Sequence, residues 1–126
     1  MVESELISEI IDLTLEGAKY ESQLYDQLKH ISEKEYEHTG SGVYVYFENE
    51  PEITKFRLNN EQLNEMFGEG NQELTKFELI NEELLIRADV TVHFTNGIID
   101  CVEIWNKLGE YPEEDLLSWQ LKRIEG

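Results

Sequence analysis

The stretch LLIRADVTVHFTNGIIDCVEIW, residues 84–105, decides the fold because apolar residues occupy every second position before Asn96-Gly97. The alternating apolar positions are Leu84, Ile86, Ala88, Val90, Val92 and Phe94. A period of two is typical of a strand that buries one face, and Asn-Gly suits a type I′ turn. We therefore predict a β-hairpin over these residues.

The N-terminal region has a different period. From residue 3 to about residue 36 the apolar residues recur at helical spacing, and Gly17 divides the region into two helices. Charged residues fall largely between the apolar stripes, as in helices with one solvated face.

The rest of the chain has the patterns of strands and turns. Four further strands are predicted, over residues 43–47, 53–58, 75–80 and 117–121. Asn59 or Asn60 can cap a short helix before Gly68. The sequence thus predicts an α+β fold, with N-terminal helices on one face of a mostly antiparallel sheet of about five strands. We expect one domain over residues 1–126, helical over 3–36 and sheet-rich over 43–124.

The charge balance narrows the range of partners. The chain has 28 Asp and Glu against 10 Lys and Arg, a formal net charge of −18. Nucleic-acid binders and proteins adsorbed to anionic membranes depend on clustered Lys and Arg, so both classes are disfavoured. A protein partner of this chain is expected to be basic.

The location of the protein is expected to be cytoplasmic. The apolar runs are too short to cross a bilayer, and no basic start leads into an apolar stretch as in a signal peptide. The single cysteine, Cys101, cannot form an internal disulfide and is interpreted as a small buried hydrophobe.

The hairpin provides one candidate polar cluster. If Asn96 and Gly97 are the two central turn residues, His93 faces Asp100, with Asp89 on the same side. An ordinary cross-strand ion pair is the simpler interpretation of this pair.

Glu103 does not fit that register. It would face Val90 inside the sheet, where an unpaired carboxylate is unfavourable. Two alternatives remain open: Glu103 is buried with a partner, or a β-bulge near Val102 turns Glu103 outward and Ile104 inward.

Catalytic and cofactor motifs are not found in the sequence. His30, His38 and His93 lack the spacing of a zinc site, and the acidic runs lack the pattern of a calcium loop. There is no nucleophile elbow and no phosphate-binding glycine loop. We expect no metal, no cofactor and no enzymatic activity.

A candidate protein-binding patch lies at residues 44–50. Tyr44 and Tyr46 fall on the same side of their strand and are followed by Glu48 and Glu50. Aromatic anchors inside an acidic rim are typical of protein interfaces.

Three hypotheses of function follow. The first is an acidic inhibitor that binds a basic protein, similar in general character to the small immunity proteins of bacterial toxin systems. The second is a structural module or homodimer in which Tyr44, Tyr46, Val102 and Ile104 cover the far face of the sheet. The third is a small-ligand binder or enzyme that uses His93, Asp100 and Glu103.

Overall fold

A single six-stranded sheet with helices against it makes up the computed structural model, which describes residues 1–125. The helices are α1 (Glu5–Leu15), α2 (Glu21–Leu28), a 3-10 helix (Pro51–Phe56) and α3 (Asn60–Phe67). The strands are β1 (Ile31–His38), β2 (Gly42–Asn49), β3 (Glu73–Asn81), β4 (Ile86–Thr95), β5 (Ile98–Asn106) and β6 (Gln120–Arg123). All neighbouring strands are antiparallel, in the order β1-β2-β5-β4-β3-β6. The predicted α+β class with N-terminal helices is confirmed.

The N-terminal helices form the layer that covers the core. Ser4 begins α1, because its hydroxyl oxygen accepts a hydrogen bond from the backbone N–H of Ile7 at 3.2 Å. The apolar stripe of α1 is buried at Ile7, Ile10, Ile11 and Leu15. α1 packs on β3 and β4, and α2 packs on β5 and the 3-10 helix. The short helix α3 begins after Asn59, which forms a capping box with Gln62. Asn59 is one of the two residues that the sequence predicted as the cap.

The predicted hairpin is confirmed as β4 and β5, but it begins at Ile86, and Leu84 lies before it and is 50% exposed. Asn96 and Gly97 have φ of 51° and 79°, the positive values that a type I′ turn requires. Gly97 also lies against another segment, since its carbonyl accepts a hydrogen bond from Leu58 N–H at 3.1 Å. A Cβ at Gly97 would collide with the backbone of Leu58. Glycine is therefore needed here for both its φ and its size.

The helical prediction for residues 31–36 is wrong, because β1 covers Ile31–His38. Ile31 continues the apolar stripe of α2 in the sequence but is the only buried residue of β1. Without a repeating apolar stripe, a helix at this point would bury little surface against the core. Pairing with β2 satisfies the backbone of these residues instead.

Two predicted strands are also corrected. Residues 53–58 do not form a strand, because Pro51 begins the 3-10 helix and buries Ile53 beneath it. The last strand starts at Gln120 and not at residue 117. Leu117 is 98% exposed, and the adjacent Leu116 is buried in its place. Both errors came from apolar spacing that fits a strand but does not require one.

Within residues 1–125, none of the helices combines the length and the apolar character that crossing a membrane would take.

Candidate functional site

The face of the sheet opposite the helices, which we name the open face, carries most of the predicted site residues. Side chains alternate along a strand, so residues whose neighbours are buried under the helices point to the open face. In β2, Val43, Val45 and Phe47 are buried, whereas Tyr44 and Tyr46 are only partly buried. The buried residues of α1 and α2 belong to the same core as Val43, Val45 and Phe47, so these helices lie on the other face.

A stacked tyrosine pair lies near the β1 edge of the open face. The rings of Tyr44 and Tyr46 are 6.1 Å apart between centroids, with planes inclined by 14°. The strand partners of the pair on β1 are Glu37 and Glu35. The Tyr46 hydroxyl donates to Glu37 Oε1 at 3.3 Å, and the Tyr44 hydroxyl donates to Glu103 Oε2 at 3.2 Å. Carboxylates therefore flank the pair on both sides.

The neighbouring carboxylates and partial burial raise the pKa values of both tyrosines. The negative charge of Glu103, with some burial, raises the pKa of Tyr44. Burial, with the charge of Glu37, raises the pKa of Tyr46. Both hydroxyls therefore stay neutral across the physiological range and donate to these carboxylates.

A histidine on the same face is held between two carboxylates. His93 Nε2 lies 2.8 Å from Glu103 Oε1, and His93 Nδ1 lies 3.3 Å from Glu73 Oε2. Through Glu103 this group joins Tyr44. The sequence predicted His93 and Glu103 as candidates but missed Glu73, which is on the separate strand β3.

The predicted pairing of His93 with Asp100 is wrong. Asp100 is an extra residue in β5, because Phe94 pairs with Ile99 and His93 pairs with Cys101. The Asp100 carboxylate instead accepts a hydrogen bond from the Thr95 hydroxyl at 3.0 Å.

This bulge resolves the two alternatives for Glu103. Glu103 points to the open face, and Val102 and Ile104 lie in the core with exposures of 0% and 2%. The bulge lies at Asp100, two residues before Val102, and it turns Glu103 outward and Ile104 inward, as the second alternative predicted. Val102 and Ile104 therefore cannot cover the open face in a homodimer, as the second hypothesis required.

Asp89 belongs to another group of charges. Lys107 Nζ lies 2.9 Å from Asp89 Oδ1 and 2.5 Å from Glu78 Oε2. These two hydrogen bonds raise the pKa of Lys107, and the bond from Lys107 lowers the pKa of Glu78. Asp89 is thus a partner of Lys107 and not of His93.

The two glutamates predicted for the patch separate. Glu48 lies on β2 two residues beyond Tyr46, so strand alternation places it on the open face. Glu50 follows the end of β2, and its carboxylate lies 3.1 Å from His30 Nδ1. Glu50 is therefore not part of the tyrosine patch.

Cys101 is a buried free thiol, as the sequence indicated. Burial, with the charges of Asp100 and Glu103, raises the pKa of Cys101 to about 12. Such a thiol is a poor nucleophile. Across residues 1–125, His, Cys, Asp and Glu side chains form no group of three or more that could hold a metal ion.

A second feature, which the sequence did not indicate, is a cavity of about 940 Å³ on the helix side of the sheet. We name it the aromatic cavity. It lies between the start of α1, the strand β1 and the segment 111–119, and Tyr36, Tyr111 and Trp119 line it. These residues come from distant parts of the chain, and only the fold brings them together.

Comparison with models of protein families, with curated proteins and with solved structures gave no match to this chain.

Proposed function

We propose that this protein is a non-enzymatic acidic binding protein that docks a basic protein partner on its open face, as an inhibitor or immunity-type protein does. The observation that carries the proposal is the Tyr44–Tyr46 stack, partly exposed on the open face and flanked by carboxylates. Cytoplasmic location is part of the proposal, because the single buried thiol suits a reducing compartment.

The chemistry of the patch favours a cationic partner surface. Aromatic rings bind an arginine or lysine side chain through their faces, and adjacent carboxylates supply hydrogen-bond acceptors. Glu35, Glu37 and Glu48 are all exposed beside the two tyrosines. A net charge of −18 attracts positive surfaces over a longer range.

The arrangement around His93 favours binding over catalysis. A general base needs a free ring nitrogen near the group from which it takes a proton. Both ring nitrogens of His93 lie within 3.3 Å of carboxylates, those of Glu73 and Glu103. The histidine therefore serves to cross-link β3, β4 and β5 on the open face.

Affinity capture with charge-matched variants tests the proposal. Wild-type protein, Glu35→Lys/Glu37→Lys and Glu9→Lys/Glu16→Lys are immobilised and exposed to lysate of the native cell at low and high salt. Both double variants change the net charge equally, but Glu9 and Glu16 are exposed positions of the α1 region. Bound proteins are identified and the dissociation constant of each purified partner is measured.

The expected result is a basic protein that wild type and the α1-region variant retain at low salt and the β1 variant does not. Tyr44→Ala should weaken binding by about 30-fold or more if this ring is a central contact. Equal loss of binding in both charge variants would show that net charge alone attracts the partner, and the open face would be rejected as the docking site. If no basic protein is retained at low salt, the proposal is wrong.

A further inference from the structure

The aromatic cavity is a pocket half open to solvent, and its size is in the range of ligand sites. Its volume of about 940 Å³ is that of a site for a small molecule or a long side chain. Val43 and Ile104 form part of its apolar base, and both are almost fully buried. Tyr36 and Trp119 supply aromatic surface, and Tyr36 is 43% exposed.

The Tyr111 side chain provides a hydroxyl that forms no hydrogen bond within the described part of the fold. The residue is only 8% exposed, yet within residues 1–125 its hydroxyl has no hydrogen-bond partner. Thr14 Oγ1 is the one side-chain polar atom in this range that is both wholly buried and unpartnered. The Tyr111 hydroxyl is therefore reachable from outside, on the side where Tyr111 lines the cavity. A hydroxyl at a cavity wall that makes no hydrogen bond within the fold is free to bond to a ligand.

The excess of carboxylates around the cavity favours a cationic ligand. Six carboxylates line it, at Glu3, Glu5, Glu33, Glu113, Glu114 and Asp115. Among the described residues no lysine or arginine lines it, and the lining residues that can carry a positive charge are Met1, through its amino group, and His38. Glu33 is already engaged, because it accepts the backbone N–H groups of Glu3 and Ser4 at 2.8 and 3.0 Å. The residues of the segment 113–115 are exposed and remain free for a ligand.

We propose that the aromatic cavity binds an alkyl chain that ends in an ammonium or guanidinium group. The chain lies on the apolar base and against Tyr36 and Trp119, while the cationic head donates to the Tyr111 hydroxyl and to Asp115. Burial and the charges of Asp115 and Tyr36 raise the pKa of Tyr111 to about 12, so the hydroxyl is neutral and can accept. The proposal does not depend on the open face, which is on the other side of the sheet.

Two sources have this chemistry, a lysine or arginine side chain of another protein and a free polyamine. Both fit an aromatic wall with an acidic rim. An anionic or a purely apolar ligand fits poorly, because it would leave the carboxylates and the Tyr111 hydroxyl without partners.

Tryptophan fluorescence provides a direct measurement. The chain has two tryptophans, and Trp105 does not line the cavity. Trp105→Phe therefore leaves Trp119 as the only reporter. This variant is titrated with the N-acetyl N-methylamides of lysine, arginine and norleucine, and with spermidine.

The lysine or arginine probe should bind about tenfold or more tightly than norleucine, which has a similar apolar chain without the charge. Tighter binding of spermidine than of both amino-acid probes would identify a free polyamine as the source. Equal affinity of the charged probes and norleucine, or no fluorescence change with any probe, would overturn the proposal.

Two matched pairs of variants locate the contacts. Tyr111→Phe should weaken cation binding about fivefold without lowering the melting temperature, since its hydroxyl has no partner in the fold. Tyr25→Phe removes a hydroxyl that donates to the Asp12 carbonyl, and it should leave binding unchanged. Asp115→Asn should weaken binding more than Glu9→Gln, which changes the net charge equally. Equal effects within both pairs would refute the assignment of the cation to this cavity.

Discussion

Gln27 joins α2 to the hairpin turn, and its replacement by leucine tests how far this junction stabilises the fold. The side chain is fully buried, at 0% exposure. Its Nε2 donates to the carbonyls of Phe56 and Gly97, both at 2.9 Å. Its Oε1 accepts the backbone N–H of Ile99 at 2.9 Å. One side chain thus satisfies backbone groups on two segments distant in sequence.

The loss of stability in Gln27→Leu depends on which of these backbone groups keeps another hydrogen-bond partner. The Phe56 carbonyl still accepts from Gln23 Nε2 at 3.1 Å, and the Gly97 carbonyl keeps its backbone donor. The Ile99 N–H loses its acceptor, which costs about 1–3 kcal/mol for a buried group. With the two weakened carbonyls included, we expect a loss of about 3 kcal/mol in the free energy of unfolding. For a chain of this size that lowers Tm by roughly 10 °C.

Urea unfolding followed by circular dichroism measures this loss, with Gln23→Leu as the control on the same helix. Gln23 also donates to the Arg57 carbonyl, but it lies in a more exposed place where water can replace it. The control should cost less than about 1 kcal/mol. The double variant should lose more than the sum of both, because the Phe56 carbonyl then has neither donor. A Gln27→Leu protein within 1 kcal/mol of wild type would refute the reasoning.

Three further predictions concern the turn, an ion pair and the thiol. Gly97→Ala should destabilise the protein by about 2 kcal/mol more than Gly17→Ala in urea unfolding, because both have positive φ but only Gly97 would place its Cβ against another backbone. Lys107→Met should lower the free energy of unfolding near pH 7. Because Lys107 lowers the pKa of Glu78, the difference from wild type should shrink as pH falls below about 4.5 and Glu78 becomes protonated. An unchanged difference in urea titrations at pH 3 would contradict this. Cys101, with a pKa of about 12, should react with a thiol reagent at pH 8 only after denaturant is added, and rapid labelling of the folded protein would show that the site opens.

The hairpin could be predicted from the sequence because its signals are local. Alternation over β4 and the dipeptide Asn96-Gly97 act within a few residues and agree with each other. The register of its strands could not be predicted. A regular register places Glu103 in the core, whereas the bulge at Asp100 places Val102 there. The sequence presented that conflict without resolving it, and the structure resolves it in favour of burying Val102.

β1 was not predicted because its first residue continues the helical apolar spacing of α2, although the strand pairs with β2 in the sheet. Ile31 extends the apolar spacing of α2, but beyond it the segment depends on pairing with β2. Tertiary pairing of that kind leaves no signal in a single sequence.

The two candidate sites also differ in whether the sequence can indicate them. Tyr44 and Tyr46 could be proposed because they alternate on one strand. The aromatic cavity could not, since Tyr36 and Trp119 belong to segments that meet only in the folded chain.

The excess of carboxylates determines which partners approach but does not determine which of them bind. A surface of 7608 Å² with a net charge of −18 has roughly one net charge per 420 Å², or about 20 Å between net charges. The Debye length is about 8 Å at physiological salt, so the attraction acts only close to the surface there. In the part of the chain described, only Lys29 and Lys107 among the lysines and arginines form ion pairs, so most carboxylates have no lysine or arginine partner within the fold. Selectivity between two basic partners must then come from short-range contacts, and the open-face tyrosines and the aromatic cavity are the sites that we propose for them.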